Sequence, residues 1–129
     1  MNKILGSLSG LIGFALIAFG IYALVATTAI TDMTALQPSG VAGLNEARAI
    51  YAGSFWAMGG LILYGLGMPR FRQPLLLAVG VIFAGFVAAR LISIAMDGYA
   101  PILAASIGSE VVAALILIAA SRTAPVASV

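Results

Sequence analysis

The stretch VGVIFAGFVAARLISIAMDGYAPILAASIGSEVV, Val79 to Val112, decides how the chain reads. Arg90 lies inside an apolar run that begins near Leu75, and Glu110 inside a second that runs from Pro101 to Ala120. Between them Met96-Asp97-Gly98-Tyr99-Ala100-Pro101 is a short turn. At about 1.5 Å per residue, an apolar run of roughly 20 residues crosses the hydrocarbon core of a bilayer. Two such helices joined by a tight turn are antiparallel neighbours. Arg90 is seven residues from Asp97, about 10 Å along the helix. Glu110 is some nine residues into the following helix, at a similar depth. An ionised side chain at mid-bilayer costs at least about 2.5–3.5 kcal/mol. Two of them on adjacent helices are expected to pair.

Composition fixes the class. Of 129 residues, 63% are hydrophobic and only 8% charged, whereas a soluble domain carries about a quarter charged residues. Such a surface suits lipid rather than water. The net charge of +2 is too small for a nucleic-acid surface. With neither Cys nor His, disulfides, thiol catalysis and the usual zinc, copper and haem ligand sets have no donors. No metal or other cofactor is expected. The glycines fit no phosphate loop, since none lies at a strand-to-helix junction.

Beyond this stretch, four membrane helices are expected at about 4–30, 47–68, 75–96 and 101–121, forming one all-α four-helix bundle over residues 1–129. Ile4 to Thr31 contains no charge. Lys3 ahead of that run resembles a signal peptide, but the run exceeds a signal's apolar core, so it reads as a retained helix. Gly6, Gly10, Gly13 and Gly20 share one face of it. Small residues at these spacings let helix backbones approach closely in lipid. Packing within the bundle is the first reading, and self-association through that face the second. Thr31 to Arg48 is the one substantial loop; Gln37-Pro38-Ser39-Gly40 is a turn signal, Asn45 a helix cap, and the stretch either folds over one end of the bundle or contains a short interfacial helix from Val41. In the second helix Arg48, Tyr51 and Phe55 lie on one stripe. Gly67-Met68-Pro69 stops this helix, and Arg70-Phe71-Arg72-Gln73-Pro74 reads as a basic loop. Pro101 suits the first turn of the last helix, and Arg122 to Val129 reads as a frayed tail.

Alternating spans place Lys3, Arg70, Arg72 and Arg122 on one side and Asp32, Glu46, Arg48 and Asp97 on the other. The positive-inside rule then puts both termini in the cytoplasm. The candidate polar cluster is Arg48, Tyr51, Arg90, Ser93, Asp97 and Glu110. In it Arg90 and Glu110 pair inside the bundle, while Arg48, Tyr51 and Asp97 close the outer end of a cavity. A buried ion pair can simply fix helix register. Arg is equally suited to bidentate binding of a carboxylate or phosphate, which allows a ligand or lipid headgroup. A proton or ion path is a third use of the same groups.

Two segments resemble a known family. Asn45-Glu46-Ala47-Arg48-Ala49-Ile50-Tyr51-Ala52-Gly53 is similar to the segment opening its second helix. Arg90-Leu91-Ile92-Ser93-Ile94-Ala95-Met96-Asp97-Gly98, followed by Glu110, resembles its second motif. The family is domain-of-unknown-function family 4345, small bacterial four-helix membrane proteins; Ala52 departs from it, since glycine is expected before Gly53. The resemblance implies a bacterial inner membrane and one shared site for Arg48, Tyr51, Arg90, Asp97 and Glu110, but no activity. The leading expectation is a binding or accessory protein that holds membrane lipid or an anionic ligand, or docks to a larger membrane complex. A glutathione-transferase-like membrane enzyme and a proton or solute pathway are the alternatives. Against the enzyme stands the want of a nucleophile beside a base, although an Arg can activate a thiol substrate.

Overall fold

The protein, described from a computed structural model over residues 2–123, is built from helices whose ends obey local chemistry. Asn2 caps α1 (Lys3–Val25), its side-chain oxygen accepting from the Ile4 N–H at 3.0 Å. The chain turns at Ala26 (φ −116°, ψ 49°) into the short α2 (Thr27–Met33), so the first helix ends before residue 30. The cause lies in the threonines. Thr27 Oγ1 donates to the Ala23 carbonyl at 2.9 Å, and back-bonding of this kind bends helices.

The expected loop is largely helical. After Ala35 (φ 55°) and the irregular Leu36–Ser39 stretch, α3 (Gly40–Arg48) enters a wide π turn (Ala49–Gly53) that continues into α4 (Ser54–Gly67). Asn45 lies inside α3 rather than capping a helix. Nothing between Val41 and Gly53 forces a stop, since Ala, Leu, Glu and Arg are good helix formers. Met68, in extended conformation, then reverses the chain.

The basic stretch expected as a loop is the start of α5 (Pro69–Asp97), with Pro69 at its first turn and Pro74 inside it. Pro74 removes a bond to the carbonyl of Arg70, which lies at the exposed helix end and reaches water instead. Arg72 Nη2 donates to the Leu66 carbonyl at 2.7 Å, closing the last turn of α4. Gly98 (φ 94°) ends α5. Pro101 lies in the turn ahead of α6 (Leu103–Arg122) rather than in its first turn; the Leu103 N–H donates to the Ala100 carbonyl at 3.0 Å. Of the expected tail, residues 124–129 fall outside those described.

Four helical spans, Lys3–Val25, Gly40–Gly67, Pro69–Asp97 and Leu103–Arg122, are long and apolar enough to cross a membrane, and no strand occurs among the described residues. They close into a ring in which α1 touches α4 and α6, and α5 touches α4 and α6. The larger core cluster fills the half of the bundle that holds both chain ends. Met58, Ile62, Leu76, Val79, Phe83, Ala113, Ala114, Leu117 and Ala120 are buried there. A smaller one, Ala23, Ile30 and Ala52, lies in the other half. Along α5 the stripe Leu76, Val79, Phe83, Phe86, Arg90 repeats at intervals of three and four, so Arg90 continues the core face into the other half.

The glycine face of α1 is taken up by α4. A Cβ at Gly13 would lie 3.0 Å from Leu63, and one at Gly20 would lie 2.5 Å from the Trp56 ring. Opposite, a Cβ at Gly59 would sit 2.7 Å from the Gly13 carbonyl oxygen and 2.9 Å from Ile17 Cγ1. Because the first obstacle is backbone, it can move only if the helices part. Gly59→Ala is therefore expected to destabilise the bundle by about 1–3 kcal/mol, measured by unfolding in detergent micelles. Gly60→Ala, where an added Cβ meets nothing within 4 Å, is the control and leaves stability within about 1 kcal/mol or slightly raised.

Candidate functional site

Arg90 on α5 and Glu110 on α6 form a bidentate ion pair. The guanidinium donates from Nε to Oε2 at 2.8 Å and Oε1 at 3.1 Å, and from Nη2 to Oε1 at 2.9 Å. The Glu110 side chain is 11% exposed and that of Arg90 36%. Each residue stands seven positions from the α5–α6 connection side of its helix, at Asp97 and Leu103 respectively, about 10 Å along each axis. That shared level lets two antiparallel helices bring them together. A fork-to-fork arrangement is the strongest geometry available to an Arg–carboxylate pair.

The pair forms a wall shared by two cavities. The larger, about 730 Å³, lies among α1, α2, the π turn, α5 and α6, and its lining includes Phe19, Phe83, Phe86 and Ile102. Thr34, Tyr51, Ser106 and Ser109 add its polar points. The smaller, about 300 Å³, lies between the α4 and α5 sides, against Ile50, Ser54 and Met58. Tyr51, Phe55, Phe86, Arg90 and Glu110 border both. Cavities of these sizes fall in the range that holds small molecules.

Of the six residues expected in one cluster, the fold gathers Tyr51, Arg90 and Glu110 around this space. Arg48 is elsewhere, its Nε donating to Thr27 Oγ1 at 3.0 Å. The π turn is the reason. A regular helix would carry Arg48, Tyr51 and Phe55 on one stripe, but one extra residue in the turn rotates the rest of the helix by about 100°. Tyr51 and Phe55 therefore face the cavities while Arg48 faces α2. Ser93 and Asp97 also stand apart: both are exposed, and Ser93 Oγ approaches Asp97 Oδ2 at 3.4 Å at the end of α5.

Sequence reasoning missed several other lining residues. Phe86 and Ser106 lie one turn before Arg90 and Glu110, and Phe55 one turn after Tyr51, so a spacing of four from the charged pair and the tyrosine points to them. Thr34 had no such signal, because only the fold-back of α2 brings its Oγ1 to 3.1 Å from the Tyr51 hydroxyl, which donates to it. Ser109 Oγ donates to the Ser106 carbonyl at 2.9 Å, so this hydroxyl is engaged with backbone and not with the neighbouring carboxylate. Among the described residues no cluster of acidic, His or Cys side chains could hold a metal ion. The arrangement can hold a molecule; it offers hydrogen bonds, a neutralised ion pair and an aromatic wall.

These contacts set two expected outcomes. Removing one partner, as in Arg90→Met or Glu110→Leu, is expected to cost about 2–4 kcal/mol, discounted from a fully buried pair because Arg90 is a third exposed. The double variant should recover most of that loss, as a double-mutant cycle of unfolding in detergent would record. Tyr51→Phe removes the bond to Thr34 and should cost about 0.5–1.5 kcal/mol, seen as faster amide exchange in α2 with the rest of the bundle unchanged.

No curated protein and no solved structure matches the chain. A family model described as a domain of unknown function (DUF4345) matches residues 4–121, from the first turn of α1 to the last of α6. The chain belongs to that family.

Proposed function

We propose that this is a membrane-embedded binding protein whose larger cavity holds a lipid-like amphiphile, its polar head against Arg90, Glu110 and Tyr51 and its chain along the phenylalanines. The observation that carries this reading is that the ion pair stands in the wall of a cavity of about 730 Å³ instead of being sealed inside the core. An ion pair needs no adjoining cavity to fix helix register. Here the core cluster ends at Phe83 and Ala113, which also line the cavity, and the space extends from them to the charged pair.

The same reading carries an orientation and a place. Lys3, Arg70, Arg72 and Arg122 gather at the end that bears both termini, and by the positive-inside rule this end is cytoplasmic. The cavity half then faces the outer leaflet of a bacterial inner membrane, within reach of lipids entering from that side.

Native mass spectrometry of the protein gently extracted from its own membrane tests the reading, with Arg90→Leu alongside. A lipid-sized molecule retained by the wild type and lost from Arg90→Leu is the expected result. A bare protein in both samples would return the charges to a purely structural role. A co-purifying subunit with an empty cavity would replace binding by docking to a membrane complex.

A further inference from the structure

The electrostatic state of the wall says what kind of head group the cavity accepts. Glu110 takes the Nε–H and one Nη2–H of Arg90, so charge is balanced within the pair. An anion approaching Arg90 would meet the Glu110 carboxylate within hydrogen-bond range of the same guanidinium. It would have to displace that carboxylate or accept its repulsion. A cation finds both Glu110 oxygens already taken by Arg90. What remains free is donor capacity. Nη1 donates to no protein group among the described residues, Arg90 borders both cavities, and its side chain is a third exposed. In a lipid-facing cavity, an N–H left without an acceptor is costly. The other polar groups on the wall, Tyr51, Thr34, Ser106 and Ser109, are uncharged hydroxyls; the first two and Ser109 already donate within the protein and keep acceptor capacity, while Ser106 can donate or accept.

We infer that the site selects an uncharged, oxygen-bearing head group, a hydroxyl, ester or ketone on an apolar chain, and discriminates against anionic amphiphiles. This rests on the binding role proposed above and narrows it, replacing the anionic ligand that an isolated Arg would suggest. The acceptor oxygen takes the free N–H groups of Arg90 while the Glu110 pair stays closed. The chain lies against Phe19, Phe83, Phe86 and Ile102. An aromatic and aliphatic wall of this kind gives apolar contact without demanding a further charge.

The test is equilibrium binding of two labelled probes with matched chains, monoolein and oleyl sulfate, to the full-length protein in phosphatidylcholine nanodiscs. The wild type is expected to bind monoolein saturably and at least about tenfold more tightly than oleyl sulfate, the size of one charge-related hydrogen-bond difference. Glu110→Gln frees Arg90 and should reverse the order in favour of the sulfate, while Ser106→Phe, which projects a ring into the cavity one turn from Glu110, should weaken monoolein binding at least about tenfold. If the wild type prefers oleyl sulfate, the inference on head-group charge is overturned and the binding role stands. If neither probe binds saturably, the binding role itself fails. Unchanged monoolein binding in folded Ser106→Phe would place the probe outside this cavity and overturn the inference. Because the wild-type comparison decides the charge preference alone, loss of folding in Glu110→Gln leaves the test intact.

Discussion

Two opposite charges in an apolar interior constrain this protein more than any other feature. Neither Arg90 nor Glu110 is tolerable alone among hydrocarbon-facing helices. Together they form a charge-balanced unit whose fork geometry admits one relative height and rotation of α5 and α6. The Leu76, Val79, Phe83 stripe of α5 and the Ala113, Ala114, Leu117 face of α6 then meet in a single register. A slide of one turn, about 5.4 Å, would leave both charges unpaired. The pair is thus a clamp on the larger hydrophobic core, set just beyond its Phe83 and Ala113 end.

The opposite side of the ring is held by closeness rather than charge. Between helices in lipid there is little hydrophobic drive, and contact area must come from backbones that approach. Gly59 stands so close to the Gly13 carbonyl that a methyl group there would meet backbone, and at Gly13 it would press on the Leu63 side chain. Gly20 accepts the Trp56 ring in the same way. With α1 and α4 drawn together from Gly13 to Gly20, the space left over in the bundle collects on the other flank of α1, toward α5 and α6. Small residues on one seam and charges on the next therefore produce the cavity jointly.

The end of the bundle above the pair is shaped by α2, α3 and the π turn. Arg48 to Thr27 and Tyr51 to Thr34 tie the returning chain to the two ends of α2. One is structural in its placement; the other brings a phenol hydroxyl to the cavity edge. A wide turn inside a helix often marks a functional place, and here its consequence is geometric: it decides which side chains meet the ion pair.

The number of spans, the all-helical class and the pairing of Arg90 with Glu110 are legible in the order of residues. They depend on local quantities: the length of apolar runs, the cost of charge in lipid, and two positions equidistant from one short turn. The course of residues 26–53 and the start of α5 at Pro69 are not legible there, because helix formers in these stretches are compatible with loop or helix until neighbours decide. Nor does spacing separate Arg48, Ser93 and Asp97 from the site. It assumes an unbroken 3.6-residue period, and the π turn breaks that period for Arg48, while Ser93 and Asp97 lie beyond the level where α6 presents Glu110. The cavity itself, and the approach of Thr34 to Tyr51, belong to tertiary structure alone, since empty space and contacts across seventeen residues of folded-back chain leave no periodic trace in the order of amino acids.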